Sequence, residues 1–373
     1  MSNLKIMKNI ANIARLCFAA LCLLASAVAQ AQSNELLRVA VSGVSHAHLN
    51  DVTSRIGRGD FKIVGVYEKD DNIRSHNGLS RHVDKSLFYS DLPTMLDETH
   101  PEVVVDYGSI YDHLATVEAC APRGIHVMVE KPLAANMKHA RKMEKLAKEN
   151  NILLLTNYET TWYDTNTEAR RLVNEGEIGD ITRMMVYDGH QGPFEIGCGK
   201  VFTDWLTDPV KNGGGAIVDF GCYGANIATW ILAGQRPVSV YAVANRQKPD
   251  KYTRVEDDAT IVVQYPSMTL QLMPSWNWPI NRKDMHIYGS NGYIYQKNGK
   301  DMILYKNGKE KSVVSPELET PYNDSFYYLK AAVRGDIKVN PYDTGSLENN
   351  MLVVEILDAA IKSAQSGKPV KLK

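Results

Sequence analysis

Between Leu37 and Glu68 the chain spells a strand, a glycine turn, a helix and a second strand closed by an acid. Leu37 to Ser42 is a short apolar run that stops at Gly43, Ala47 to Gly57 can form a helix, and Phe61 to Tyr67 is a second apolar run that stops at Glu68. A unit this short closes as two parallel strands with the helix crossing right-handed over one face. Parallel sheets are covered on both faces, so the domain has to go on alternating strands with helices. With about 25 residues from Gly43 to Glu68, the layout is that of a dinucleotide-binding βαβ unit.

The alternation does continue. Asp91 to Glu98 reads as helix, Val103 to Tyr107 as strand, His113 to Pro122 as helix and Val127 to Val129 as a buried strand. Pro132 to Asn150 is a lysine-rich amphipathic helix and Ile152 to Leu155 a further strand, which completes a doubly wound sheet of about 120 residues. The acid at the tip of the second strand, Glu68, would accept hydrogen bonds from a ribose 2′-hydroxyl and repel a 2′-phosphate, so it favours NAD over NADP.

The glycine fingerprint is incomplete. G-x-G-x-x-G aligned on Gly43 places Ser45 at the second glycine and His48 at the third. Ser45 is small enough for a close approach to pyrophosphate and adds a hydroxyl, and His46 or His48 could bring an N–H to a phosphate at a helix N-terminus. The rival reading is a His46–His48 metal pair, for which the turn supplies no further ligands; no metal is expected.

Glu130-Lys131-Pro132 follows the Val127 strand, and ligands of open α/β sheets bind beyond the carboxyl ends of strands. That puts an acid, an amine and a rigid residue at the rim of a cofactor crevice. The plainer alternative is a surface charge pair before a helix-starting proline.

The second half changes character. Asn157 to Tyr163 crosses out of the first domain, and Glu168 to Glu175 reads as a helix ending at Gly176. Period-2 strands follow at Ile181–Tyr187, Val238–Ala244, Ala259–Tyr265, Thr269–Pro274, Met285–Tyr288 and Tyr293–Gln296, with a final helix over Ser346 to Ser363. The expected fold is α/β: an N-terminal doubly wound parallel sheet plus a C-terminal α+β domain with a large, mostly antiparallel open sheet.

Composition matters at two points. The formal net charge is −1 with no basic block, which excludes an ordinary nucleic-acid binder. Lys5, Lys8 and Arg15 precede the apolar run Leu16 to Val28, and Ala29-Gln30-Ala31 offers a small-x-small cleavage site. This is the pattern of a Sec-type signal peptide, too short to span a bilayer comfortably. The expected layout is a signal peptide over 1–31, a Rossmann domain over 32–157 and a substrate-binding, catalytic α+β domain over 158–373, in a periplasmic or otherwise exported protein with no membrane span after cleavage. Cys17 and Cys22 would leave with the leader, and the odd set Cys120, Cys198 and Cys222 reads as buried free thiols.

Several stretches together resemble the glucose–fructose oxidoreductase / inositol dehydrogenase (Gfo/Idh/MocA) family. They are the βαβ ending Val64-Gly65-Val66-Tyr67-Glu68, His113 after the Val103 strand, the run Gly124 to Pro132, and Gly213-Gly214-Gly215-Ala216-Ile217-Val218-Asp219-Phe220-Gly221-Cys222-Tyr223. Ser363 to Val370 also looks like the family's ending. The resemblance implies a Rossmann NAD domain with Gly43, Ser45, His46, His48, Glu68, Ser109, His113, Glu130 and Lys131 on the cofactor, and a homo-oligomer built through the open sheet. Most members carry histidine where this chain has Tyr223. Tyrosine there is similar to the glucose–fructose oxidoreductase, xylose dehydrogenase and dihydrodiol dehydrogenase branch, which implies oxidation of a sugar or cyclic alcohol. An exported member would have to retain its nucleotide tightly.

Alcohol oxidation needs a group to take the hydroxyl proton while hydride leaves carbon. Tyr223 is the acid/base candidate, with Lys131 lowering its pKa and Asp219 holding the lysine or a sugar hydroxyl. Glu130 is expected to fix the lysine. The plainer readings are a helix N-cap for Asp219 and a core tyrosine for Tyr223. Tyr158, Glu159, Trp162, His190, Trp205, Trp276 and Trp278 are the candidate carbohydrate contacts; the last two share a side only if their strand runs through Asn277. Two other functions fit the same residues. One is an NAD-assisted glycosidase or lyase working through transient sugar oxidation. The other is a non-catalytic periplasmic sugar-binding protein whose cofactor site has eroded.

Overall fold

In the computed structural model, which describes residues 35–372, the apolar runs of the first half become a six-stranded sheet. The strands are β1 (Leu37–Ser42), β2 (Phe61–Tyr67), β3 (Phe88–Tyr89), β4 (Val103–Asp106), β5 (His126–Glu130) and β6 (Leu154–Asn157), in the order β3-β2-β1-β4-β5-β6. All are parallel, so the order reverses beside β1 and opens a crevice at the strand tips there. Residues 1–31, expected to be a signal peptide, lie outside the described residues. No helix among the described residues is long and apolar enough to cross a membrane.

The second sheet has nine strands in the order β14-β13-β12-β11-β7-β10-β9-β8-β15. They are β7 (Ile181–Gly189), β8 (Ser239–Asn245), β9 (Asp258–Gln264), β10 (Thr269–Ser275), β11 (Arg282–Gly289), β12 (Gly292–Gln296), β13 (Asp301–Lys306), β14 (Lys309–Val314) and β15 (Val370–Lys371). Every pair is antiparallel except β7 with β10. One face buries Met184, Val186, Leu270, Leu272, Met285 and Ile287 against the helix Gly221–Ile231 and the final helix Leu347–Ser366.

Two expectations need correcting. The helix foreseen over 47–57 is only a 3-10 turn at Ala47–Leu49 and one α-turn at Asn50–Thr53. Thr53 and Ser54 turn their hydroxyls back onto the carbonyls of Asn50 and Asp51, which weakens a helix. The helix foreseen from Pro132 begins at Met137, because the Asn136 side chain caps it by accepting from His139 N at 3.0 Å. The hairpin β13–β14 is additional. Its turn residues Asn307 and Gly308 both have positive φ, 54° and 74°, as a two-residue hairpin turn requires.

After β14 the chain returns to the first sheet. Phe326 and Leu329 of the helix Ser325–Arg334 pack in one core with Leu37, Val39 and Val41. The final helix contributes Val354 to the first sheet's core and Leu352, Ile356 and Leu357 to the second's. The two sheets are therefore clamped together, and the crevice of the first faces the end of β7 and the start of β11, in the middle of the second.

Candidate active site

A cavity of about 500 Å3 opens where the tips of β1 and β5 meet the second sheet. Lys131, just past β5, is 5% exposed and donates to Asp219 Oδ1 at 2.6 Å and to the Asp219 carbonyl at 3.1 Å. The glycine run brings this about. A side chain on Gly213 would meet the Ala135 carbonyl at 2.3 Å, and one on Gly215 would meet that of Glu256 at 1.9 Å. Only bare backbone lets the Asp219 segment approach the turn that carries Lys131.

Asp219 is not the helix cap. Gly215 takes that position for the turn Ala216–Asp219, and Glu256 Oε1 accepts from Gly215 N and Ile217 N. This frees the Asp219 carboxylate to bind Lys131 on one oxygen and, at 2.9 Å, the Trp276 indole N–H on the other. Burial works against both charges, but each holds the other ionised: Lys131 pulls the Asp219 pKa below the carboxylate range, and Asp219 lifts that of Lys131.

Tyr223 lines the same cavity at 2% exposure, and its hydroxyl makes no hydrogen bond among the described residues. Its ring lies against Tyr158 edge to face at 5.6 Å, with the Lys131 ammonium 5.0 Å and the Lys283 ammonium 4.7 Å from its centroid. The expected lowering of its pKa does not occur. Burial, then the Glu159 carboxylate, push the phenol well above its ordinary value, while the charge of Lys131 is spent on Asp219 and sits over the ring.

Glu130 does not fix the lysine either. Its carboxylate is 2% exposed and binds His48 Nδ1 at 2.9 Å and Asn157 Nδ2 at 2.9 Å. His48 lines the cavity, so a histidine oriented by a buried carboxylate faces it. His46 Nδ1 accepts from His48 N at 3.0 Å, and its ring packs on Phe202 and Trp205. His46, His48 and Glu130 bring ligand atoms within 4.8 Å of one another. With Nδ1 used as acceptor, however, His46 carries its proton on Nε2 and has no lone pair for a metal.

The crevice fits a dinucleotide. Gly43 has φ +69°, and a Cβ there would lie 2.5 Å from Gly108 Cα, so the β1 turn is held against the β4 turn. Glu68 sits beside that turn with Oε2 on Val44 N at 3.3 Å, while the Ser45 hydroxyl makes no hydrogen bond among the described residues. The amides of Ser45 and His46 both donate to the Tyr107 carbonyl, so fewer backbone donors remain than in a three-glycine turn. Ser109 is tied to Asp112 at 2.6 Å. His113 is fully buried with Nδ1 on the Leu133 carbonyl, and its Nε2 has no partner among the described residues.

Of the candidate carbohydrate contacts, Glu159 and His190 line the cavity. Glu159 pairs with Lys283 and accepts from Tyr163, which outweighs burial and keeps it ionised. His190 is neutral through burial, and its Nδ1 accepts from Gly192 N, so Nε2–H is its donor. Tyr158, Trp205 and Trp276 are buried outside the lining. Trp162 turns away to Tyr328, and Trp278, past the end of β10, packs on Tyr187 and Arg282. Sequence reasoning missed Asn281, Arg282, Lys283, Lys297 and Asn298, which border the cavity from β11 and the end of β12. Their signal was a polar run opening a strand that was expected to begin only at Met285.

Comparisons with known proteins agree with this architecture. A family model described as "Oxidoreductase family, NAD-binding Rossmann fold" matches residues 37–158, and the GFO/IDH/MocA C-terminal domain matches 166–295. Trans-1,2-dihydrobenzene-1,2-diol dehydrogenase of Xenopus tropicalis is 25% identical over 276 residues, 70% of this chain and 78% of that protein. The Mus musculus enzyme of the same name is 23% identical over 326 residues, covering 84% and 91%. Among solved structures, an inositol dehydrogenase homolog from Azotobacter vinelandii complexed with NAD+ superposes at TM-score 0.78 with 17% identity, covering 91% of this chain and 98% of that one. Aldose-aldose oxidoreductase from Caulobacter crescentus gives 0.76 with 20% identity, covering 91% and 100%; these likenesses are of fold. With both family domains matched in order on a cavity built by the Gly124–Pro132 and Gly213–Tyr223 stretches, the chain belongs to the Gfo/Idh/MocA oxidoreductases, and its first domain is their NAD-binding Rossmann domain.

Proposed function

We propose that this oxidoreductase transfers hydride between a hydroxyl of a sugar, glycoside or cyclic polyol and a tightly held NAD, outside the cytoplasm. The carrying observation is the Lys131–Asp219 ion pair set beside Tyr223 in the wall of one cavity at the junction of the two sheets. Gly43, Ser45 and Glu68 would hold the nucleotide, which supplies the hydride acceptor when bound. Lys131 and Tyr223 then serve as the proton-handling pair at the substrate oxygen. In reduction the phenol, kept protonated, gives its proton to the carbonyl oxygen as hydride arrives, while the Lys131 ammonium hydrogen-bonds that oxygen; in oxidation the phenol first loses its proton to solvent and then takes that of the hydroxyl. Glu159, His190 and Asn281 offer acceptors and donors for the remaining hydroxyls. The dihydrodiol dehydrogenases and the inositol dehydrogenase homolog are named for cyclic diols and polyols, which supports the substrate class.

A second reading, transient oxidation followed by bond cleavage, is favoured by one observation. His48, oriented by Glu130, is a further proton acceptor in the cavity, separate from Lys131 and Tyr223. Oxidation to a ketone acidifies the neighbouring C–H; a base removes that proton, the aglycone leaves with the bond electrons, water adds, and the hydride returns. Release of aglycone without net NADH would select this reading; NADH formed one-for-one with oxidised sugar would exclude it.

One preparation tests location and cofactor together. Mass spectrometry of protein recovered from the exported fraction should show a chain beginning near Gln32, and denaturing it should release NAD. A retained Met1 would overturn the export; no nucleotide together with no thermal shift on adding NAD would leave the non-catalytic sugar-binding reading. Glu68 is expected to set the nucleotide: Glu68→Ser should narrow the preference for NAD over NADP by about tenfold. A wild type that already prefers NADP would overturn the assignment.

A further inference from the structure

A second cavity, of about 360 Å3, shares no lining residue with the Lys131 cavity. Its wall includes Thr156, Thr161, Trp162, Arg170, Trp230 and Tyr328. Buried polar atoms nearly always find partners. Here Thr156 Oγ1, Thr161 Oγ1 and Arg170 Nε are all buried without a hydrogen-bond partner among the described residues, and all three belong to this one cavity.

Arg170 is the informative member. Its guanidinium stacks on Trp230, 4.6 Å from the centroid, and pairs with no carboxylate among the described residues. Asp343 borders the same cavity and its charge acts on Arg170, but the two form no ion pair among the described residues, and Asp343 Oδ2 accepts from Asn340 N at 2.8 Å. A planar fork of donors suits a planar carboxylate. The rings of Trp162 and Tyr328, 5.8 Å apart, offer faces and edges to a flat apolar body, and two threonine hydroxyls add donors for the carboxylate oxygens.

We infer that this cavity is a second, non-catalytic binding site for a small arylcarboxylate. It is wired to the first. Trp162 Nε1 donates to Asn157 Oδ1 at 3.2 Å, Asn157 Nδ2 donates to Glu130 Oε1 at 2.9 Å, and Glu130 Oε2 holds His48 in the wall of the Lys131 cavity.

Calorimetric titration of the full chain with saturating NAD present tests the inference, using benzoate as probe and benzamide as its neutral counterpart. Wild type should take up one benzoate per chain and bind benzamide at least about tenfold more weakly, the scale of a charged hydrogen bond. Arg170→Gln should lose the discrimination while its affinity for NAD is unchanged. Thr156→Val, which keeps the shape and removes one donor, should weaken benzoate on its own should Arg170→Gln not fold. Equal binding of the two probes, benzoate binding undiminished in the variants, or no binding of either probe would overturn the site and leave a cavity filled by water. Because NAD affinity is measured separately, that failure is distinct from failure of the oxidoreductase reading.

Discussion

Asp219→Asn is expected to remove about 3–5 kcal/mol of folding stability, the cost of leaving one partner of a buried ion pair without the other. The pH dependence should change as well. In the wild type Asp219 has a lowered pKa, so its contribution is present above the ordinary carboxylate value and fades as pH falls through the lowered one. Lys131 has a raised pKa, so its contribution is present below the ordinary ammonium value and fades only as pH rises through the raised one. Neither group titrates at neutral pH, and neither contributes a slope there. In the variant, burial acts on Lys131 with the Asp219 charge gone and lowers its pKa, against the smaller opposing effect of Glu130. The unfolded chain then binds more protons than the native one, and stability rises with pH. Buried histidines and thiols give both proteins a common slope between about pH 6 and 9, so the quantity to read from urea melts is the difference: the variant's shortfall against the wild type should shrink toward the alkaline end. A shortfall that stays constant across that range would mean that Lys131 finds another partner.

How much of this was legible depends on the distance over which each contact is written. The βαβ unit was legible because a parallel pair buried on both faces needs an apolar run, a turn and a crossover, all local; Leu37–Ser42 and Phe61–Tyr67 fall where the residues put them. The Asn307-Gly308 turn of the β13–β14 hairpin was equally local, and its signal was present but passed over. The contacts of Lys131 were not local. Its partner lies 88 residues on, and nothing in Glu130-Lys131-Pro132 says that the neighbouring Glu130 will turn instead to His48 and Asn157. That choice follows from alternation along the strand end, which sends adjacent side chains to opposite sides, and from His48 standing where a fingerprint glycine would leave the side empty. Trp276 was expected to face a sugar and is instead the second donor to Asp219. An aromatic residue at a strand end reads the same in sequence whether its indole N–H meets a ligand or a carboxylate.

Lys131→Ala and Tyr223→Phe are each expected to lower kcat by about 10²-fold or more, the scale of general acid–base catalysis. The double variant should be little worse than either single one, because groups that serve one proton transfer are not additive. Lys131→Arg should not rescue. The ammonium reaches both the carboxylate and the carbonyl of Asp219 in a 5% exposed position, and a forked guanidinium does not fit that place. The pH profile separates the two roles. Burial and Glu159 hold the Tyr223 phenol above its ordinary pKa, so carbonyl reduction by the wild type should hold through neutral pH and fall only on a basic limb beyond the ordinary tyrosine value, while sugar oxidation should rise toward that limb. Tyr223→Phe should lose or displace that limb while its affinity for NAD changes little, since the phenol borders the cavity and not the Gly43 turn. Should Tyr223→Phe oxidise a sugar at the wild-type rate, with NAD reduction seen directly, the tyrosine is a packing group under two ammonium ions. The proton would then have to pass through Lys131 or through His48 and Glu130, and Glu130→Gln would distinguish them by slowing turnover only in the second case.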